Sequence, residues 1–109
     1  MRAAIVAATG LGLTICGGAG AQVEELDPFI AISCTTWLQN AETESLGEVW
    51  ITGFWSGMNA HSPDNTIVGK TTGRKGIYGE VKKYCSDHPS HLLGVAAAVV
   101  YARMARDHQ

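Results

Sequence analysis

Two cysteines, Cys34 and Cys85, constrain this chain more than any other pair of residues. A third, Cys16, falls in a stretch that reads as a cleavable export signal spanning residues 1–21. Arg2 supplies a positive start, Ala3 to Ile15 are apolar or small, and Ala19-Gly20-Ala21 before Gln22 fits a small-residue cleavage site. The stretch is too short and too rich in glycine for a good membrane span, which needs about 20 strongly apolar residues. Leu13-Thr14-Ile15-Cys16 has the outline of a lipoprotein box, but Ile15 stands where a small residue belongs. Cleavage after Ala21 is therefore the expectation. In the oxidising surroundings that follow export, Cys34 and Cys85 are expected to form a disulfide.

Removal of the signal would leave one soluble domain of 88 residues with no second membrane segment. At that size a hydrophobic core alone is marginal, and a covalent staple matters. The pair encloses 52 residues, counting both cysteines. Loop-closure entropy assigns roughly 4 kcal/mol to a loop of that size. Loss of Arg2 leaves seven basic against ten acidic side chains, a formal charge of −3. Mild acidity argues against nucleic acid and anionic membranes as partners, since both call for clustered positive charge. Lys82-Lys83 and Arg74-Lys75 are expected on solvated helix faces.

The apolar spacing predicts an all-α fold of four helices. Residues 22–32 form a polar arm and the start of the first helix, with Asp27-Pro28 at its head; residues 33–109 make the helical domain. Phe29, Ile30, Ser33, Cys34, Trp37 and Leu38 continue that helix to Asn40. A second helix starts at Thr43 or Ser45, where Ser45 and Glu48 have capping-box spacing, and ends near Met58 or Asn59. Its expected buried stripe is Leu46, Val49, Trp50, Gly53, Phe54 and Gly57. Asn59 to Gly76 reads as a long loop with little to bury, carrying at most a helical turn near Asp64. The third helix is expected from Ile77 to His88, ended by Pro89. The fourth runs from Leu92 to Arg106 after a Ser90 cap, with Leu92, Val95, Ala96, Val99, Val100 and Arg103 along one face.

No catalytic constellation emerges, and no cofactor motif, so an enzyme is not expected. There is no G-x-S-x-G turn, and Cys34 and Cys85 are too far apart for a C-x-x-C redox pair. His88 and His91 have H-x-x-H spacing, but a zinc site needs further ligands, and none lies near in sequence. They read as surface or capping residues, with no metal expected. Gly53 and Gly57 would let a neighbouring helix approach closely, at a propensity cost of about 1 kcal/mol each. Trp50 and Trp55 lie about 140° apart around a helix. Trp55 is therefore expected at the core edge, exposed or beneath the long loop. Trp50, Phe54 and Trp55 together form a candidate client or dimer surface.

Three segments carry a resemblance. Ser33-Cys34-Thr35-Thr36-Trp37-Leu38, then Trp50-Ile51-Thr52-Gly53-Phe54-Trp55-Ser56-Gly57-Met58-Asn59, then Tyr84-Cys85-Ser86-Asp87-His88-Pro89 with an alanine-rich last helix, resemble the HdeA/HdeB acid-stress chaperones of the bacterial periplasm. The resemblance spans about Ser33 to Arg103. It implies that Cys34 and Cys85 are the family's single disulfide. It also implies a periplasmic homodimer near neutral pH that loosens in acid and holds unfolded proteins in solution without ATP. The segment from Gly69 to Lys75 does not align with those chaperones. The same pattern also looks like small periplasmic immunity proteins that neutralise type VI secretion effectors, which would bind one toxin.

Overall fold

The computed structural model describes residues 31–109. The expected export signal, the expected polar arm up to residue 30 and the expected helix start at Asp27-Pro28 lie outside the described residues. Four helices follow in order: α1 (Cys34–Trp37), α2 (Ala41–Ala60), α3 (Gly73–Asp87) and α4 (Leu93–Arg106). Among the described residues there is no strand, only an isolated antiparallel bridge between Ser33 and Leu92. The all-α expectation holds, and Cys34 is bonded to Cys85, tying α1 to α3.

The first helix is a single turn rather than one running to Asn40. Its Ser33 cap accepts a hydrogen bond from the Thr36 amide through its side chain. Helix cannot extend back through Ser33, because the backbone here is committed to the 89–93 connector. The Cys34 amide donates to His91 O at 2.8 Å, Thr35 N to Pro89 O at 3.1 Å, and Leu93 N to Ile32 O at 2.8 Å. A backbone group spent across the chain is no longer free to close a helical turn.

Asn40, not Thr43 or Ser45, caps α2. Its side-chain oxygen accepts from Thr43 N at 2.9 Å, the interaction that makes Asn a favoured N-cap. Glu42 and Glu44 then occupy the first turn, where the helix dipole favours negative charge. The buried side of α2 is Gly47, Ile51 and Trp55, with Trp50 and Phe54 half-buried. Leu46 is 49 % and Val49 71 % exposed, so the expected stripe is rotated by about one residue, or 100°. No Asp, Glu, Lys or Arg occurs between Glu48 and Asp64, so polarity does not mark a solvent side over most of this helix. Packing decides instead. A Cβ at Gly47 would overlap the Trp37 indole, which lies directly on the helix and donates from Nε1 to Glu44 O at 3.0 Å.

On α3, Ile77, Val81 and Cys85 are buried at successive i, i+4 positions. The helix begins at Gly73, a turn before the expected Ile77. Gly69 and Gly73 both have positive φ, +87° and +76°, and the Gly73 amide donates to Gly69 O at 2.8 Å. At Gly69 a side chain is excluded twice over: by that backbone conformation and by Ile77 Cδ1, 2.6 Å from where a Cβ would sit.

For α4 the cap is Leu92, held extended by its bridge to Ser33, and no side chain caps the helix; the expected Ser90 cap is not used. Leu93, Gly94, Ala96, Ala97, Val100, Tyr101 and Met104 face inward. Of the expected face only Ala96 and Val100 are buried. Leu92, Val95 and Val99 are 43, 45 and 41 % exposed. Fully buried Trp37, Ile51, Val81, Leu93, Val100 and Met104 share one core cluster with Cys34 and Cys85. Each large apolar side chain removed from water contributes about 1.5–3 kcal/mol.

Candidate binding surface

The long loop is held more firmly than its composition suggests. Val68 is buried, contrary to a loop with little to bury, and Asn59 at the end of α2 pins it on both sides. Asn59 Nδ2 donates to Val68 O and Val68 N donates to Asn59 Oδ1, each at 3.1 Å, while Tyr101 Oη donates to the same Oδ1 at 2.8 Å. Trp55 Nε1 adds a donor to Val68 O at 3.1 Å. The Gly69 amide reaches Gln109 O at 2.8 Å, fastening the loop to the chain end. The helical turn expected near Asp64 is replaced by a side-chain turn. Asp64 Oδ1 accepts from Ser62 Oγ at 2.9 Å and from Thr66 N at 3.3 Å. These bonds, from Thr66 first and then Ser62, hold the Asp64 carboxyl below its ordinary range.

Trp55 is consequently not a surface residue. It is 4 % exposed beneath the loop and packs edge-on against Tyr101 at 5.1 Å. Trp50 and Phe54 stack at 5.4 Å and 16° and remain half-buried on the side of α2 nearest α4, with Phe54 edge-on to Tyr101 at 6.2 Å. Of the three residues expected to form the surface, two reach it. Other exposed apolar side chains are ones expected inside: Leu46 and Val49 on α2, and Leu92, Val95 and Val99 on α4; Met58 at the end of α2 is exposed as well.

Gly53 and Gly57 belong to that outward face. Nothing lies within 4 Å of a Cβ built on either, so no helix among the described residues makes the close approach expected there. Their effect is to leave a flattened strip of helix between Val49 and Phe54, free of ionisable side chains. Such a strip favours close contact with another apolar surface.

The charged groups pair between helices. Lys82 Nζ bridges Glu44 and Glu48, linking α3 to α2, and Arg103 Nη2 meets Glu80 Oε1 at 2.9 Å, linking α4 to α3. The hydrogen bond from Lys82 to Glu44 holds the ammonium above its ordinary range, against an opposing effect of partial burial. Burial likewise pushes the Tyr101 phenol up.

His88 and His91 pack as a pair with ring centres 4.7 Å apart. His91 Nδ1 meets Tyr84 Oη at 2.8 Å and His88 Nδ1 meets Tyr84 O at 3.1 Å, next to the Cys34–Cys85 bond. Among the described residues no group of three or more His, Cys, Asp or Glu is placed to hold a metal ion. Among those residues, too, no helix is long and apolar enough to cross a membrane.

No family model matches this chain, and neither a curated protein nor a solved structure does so. The resemblance to HdeA/HdeB therefore rests on the three sequence segments themselves.

Proposed function

We propose that the protein is an exported, ATP-independent holdase of the periplasm that is activated by acid and keeps unfolded proteins from aggregating. The observation that carries this reading is the set of apolar side chains turned outward on α2 and α4, with Leu46, Val49, Val95 and Val99 all more than 40 % exposed. Gly53 and Gly57 flatten its centre. Near neutrality a second copy of the chain covers the α2 strip.

Acid supplies the trigger. Below the usual carboxylate range, about 3.9 to 4.3, side-chain charge after signal removal moves from −3 to about +11. Protonation removes the acidic partners of Lys82 and Arg103, the ion pairs that join α3 to its neighbours. It also removes the charge on Asp64 that organises the loop. The dimer comes apart and Phe54 and Trp55 become accessible. The Cys34–Cys85 bond limits how far the chain expands. Positive charge around the apolar face keeps the client complex dispersed.

Light scattering of several unrelated proteins mixed with residues 22–109 tests this. Protection at about pH 2–4 and its loss at pH 7 support the holdase. No protection at any acid pH, with tight binding of one effector at pH 7, would replace it with the immunity reading.

A further inference from the structure

A cleft of about 250 Å³ opens between α2, α3 and the loop at residues 67–70, away from the strip assigned to clients. Its walls are Ile51, Trp55, Ile67 and Ile77. The polar groups deep in it are already paired. Thr52 Oγ1 donates to Glu48 O at 2.9 Å and so accepts from Tyr78 Oη, and Asn59 is spent on Val68 and Tyr101. At the rim stand Lys70 and Arg74. Both are exposed, neither forms an ion pair with a described residue, and no Asp or Glu lines the cleft.

We infer that this cleft binds a small amphiphilic anion, with its apolar body against Ile51, Trp55 and Ile77 and its carboxylate held by Lys70 and Arg74. The size fits one ring or a short alkyl chain. A dry cavity of about 150 Å³ accepts benzene, while pockets for drug-sized ligands begin near 300 Å³. The head-group sign follows from what is unspent. Inside, the Thr52 and Tyr78 hydroxyls and the Asn59 amide are already bonded; outside, two cations lack ion-pair partners, and a guanidinium matches a carboxylate in two parallel hydrogen bonds. The start of α3 agrees with this. Its first turn carries Arg74 and Lys75, no acidic residue, and no side-chain cap from Thr72. Cations are unfavourable there, and a bound anion relieves them.

The inference is independent of holdase activity, because it is tested at pH 7, where the holdase is idle. Octanoate, octanol and octylammonium, each below its micellar concentration, are titrated into the chain and followed by amide chemical shifts. Octanoate is expected to saturate, with the largest shifts at Val68 to Ile77 and Ile51 to Asn59, and to bind about tenfold more tightly than octylammonium. The double variant Lys70→Gln/Arg74→Gln, which alters only exposed side chains, is expected to lose that preference without a lower thermal midpoint and with its octanol binding kept. Equal binding of octanoate and octylammonium, an unaltered preference in the double variant, or shifts that fail to saturate would each overturn the assignment.

Discussion

Asn59 pairs with Val68 as a second peptide unit would: its side-chain amide donates to the Val68 carbonyl while its oxygen accepts from the Val68 amide. A residue at the end of a helix thereby replaces a strand partner for a loop that has none. Tyr101 and Trp55 complete the junction, so α2, α4 and the loop meet at one side chain. Asn59→Ala leaves the Val68 amide and the Tyr101 hydroxyl without acceptors and is expected to cost about 1–3 kcal/mol. Urea unfolding at pH 7 measures it. A cost within error of zero would mean that water replaces the side chain freely.

The three glycines of α2 should respond in opposite directions. Gly47→Ala forces a Cβ into the Trp37 indole and is expected to destabilise by about 1–3 kcal/mol, as overpacked core sites do. Gly53→Ala and Gly57→Ala meet open space and are expected to stabilise the folded chain by roughly 0.5–1 kcal/mol each. If the strip is the dimer face, the same two variants also weaken self-association, which sedimentation at neutral pH reads separately from thermal stability.

Reduction should expose how much of the fold depends on its staple. Cys34→Ser is expected to lower stability by as much as about 4 kcal/mol, the loop-entropy value for this closure. Mass analysis after alkylation without reductant should find neither thiol labelled. Labelling of both would remove the staple from the account.

Two ionic features predict a pH profile. The raised Lys82 ammonium contributes stability that is present below its unfolded value, about 10.4, and is lost as pH rises through the folded value. The lowered Asp64 carboxyl contributes above its unfolded value, about 3.9, and the contribution is lost as pH falls through the folded one. Lys82→Met is expected to cost about 0.2–1 kcal/mol at pH 7, the range for half-exposed ion pairs. That cost should vanish at pH 2, well below the usual carboxylate range of about 3.9 to 4.3. Asp64→Asn should matter at pH 7 and be silent at pH 2. Thermal midpoints of both variants across pH decide the point, and a cost that persisted at pH 2 would show that packing rather than charge is responsible.

Helix number and the disulfide were legible because each rests on a local or countable signal: apolar spacing, a Pro after α3, and two cysteines left once residues 1–21 are read as an export signal. Helix rotation was not. On α2 the stripes through Leu46 and Gly47 are both free of charge from Val49 onward, and the contact that chooses between them is Trp37 against Gly47, a tertiary fact. Asn59 gave no local sign of its role, since its partners are Val68, in the following loop, and Tyr101, 42 residues away. The short α1 was hidden for the same reason: the connector at residues 89–93 captures the backbone of Ile32 to Thr35. The candidate surface was half legible, with Trp50 and Phe54 at its margin and Trp55 drawn under the loop. Asn40, a strong cap residue three positions before Thr43, was the available signal for the start of α2.

Val49 borders the outward strip and is 71 % exposed, so a charge there tests the proposed surface without disturbing the core. Light scattering of an acid-unfolded client at about pH 3, with wild-type chain or Val49→Lys, is the most direct measurement. The account predicts that the variant keeps the wild-type thermal midpoint at pH 7 and loses most of its protection at pH 3. Equal protection by the two proteins would contradict the assignment of this face to clients.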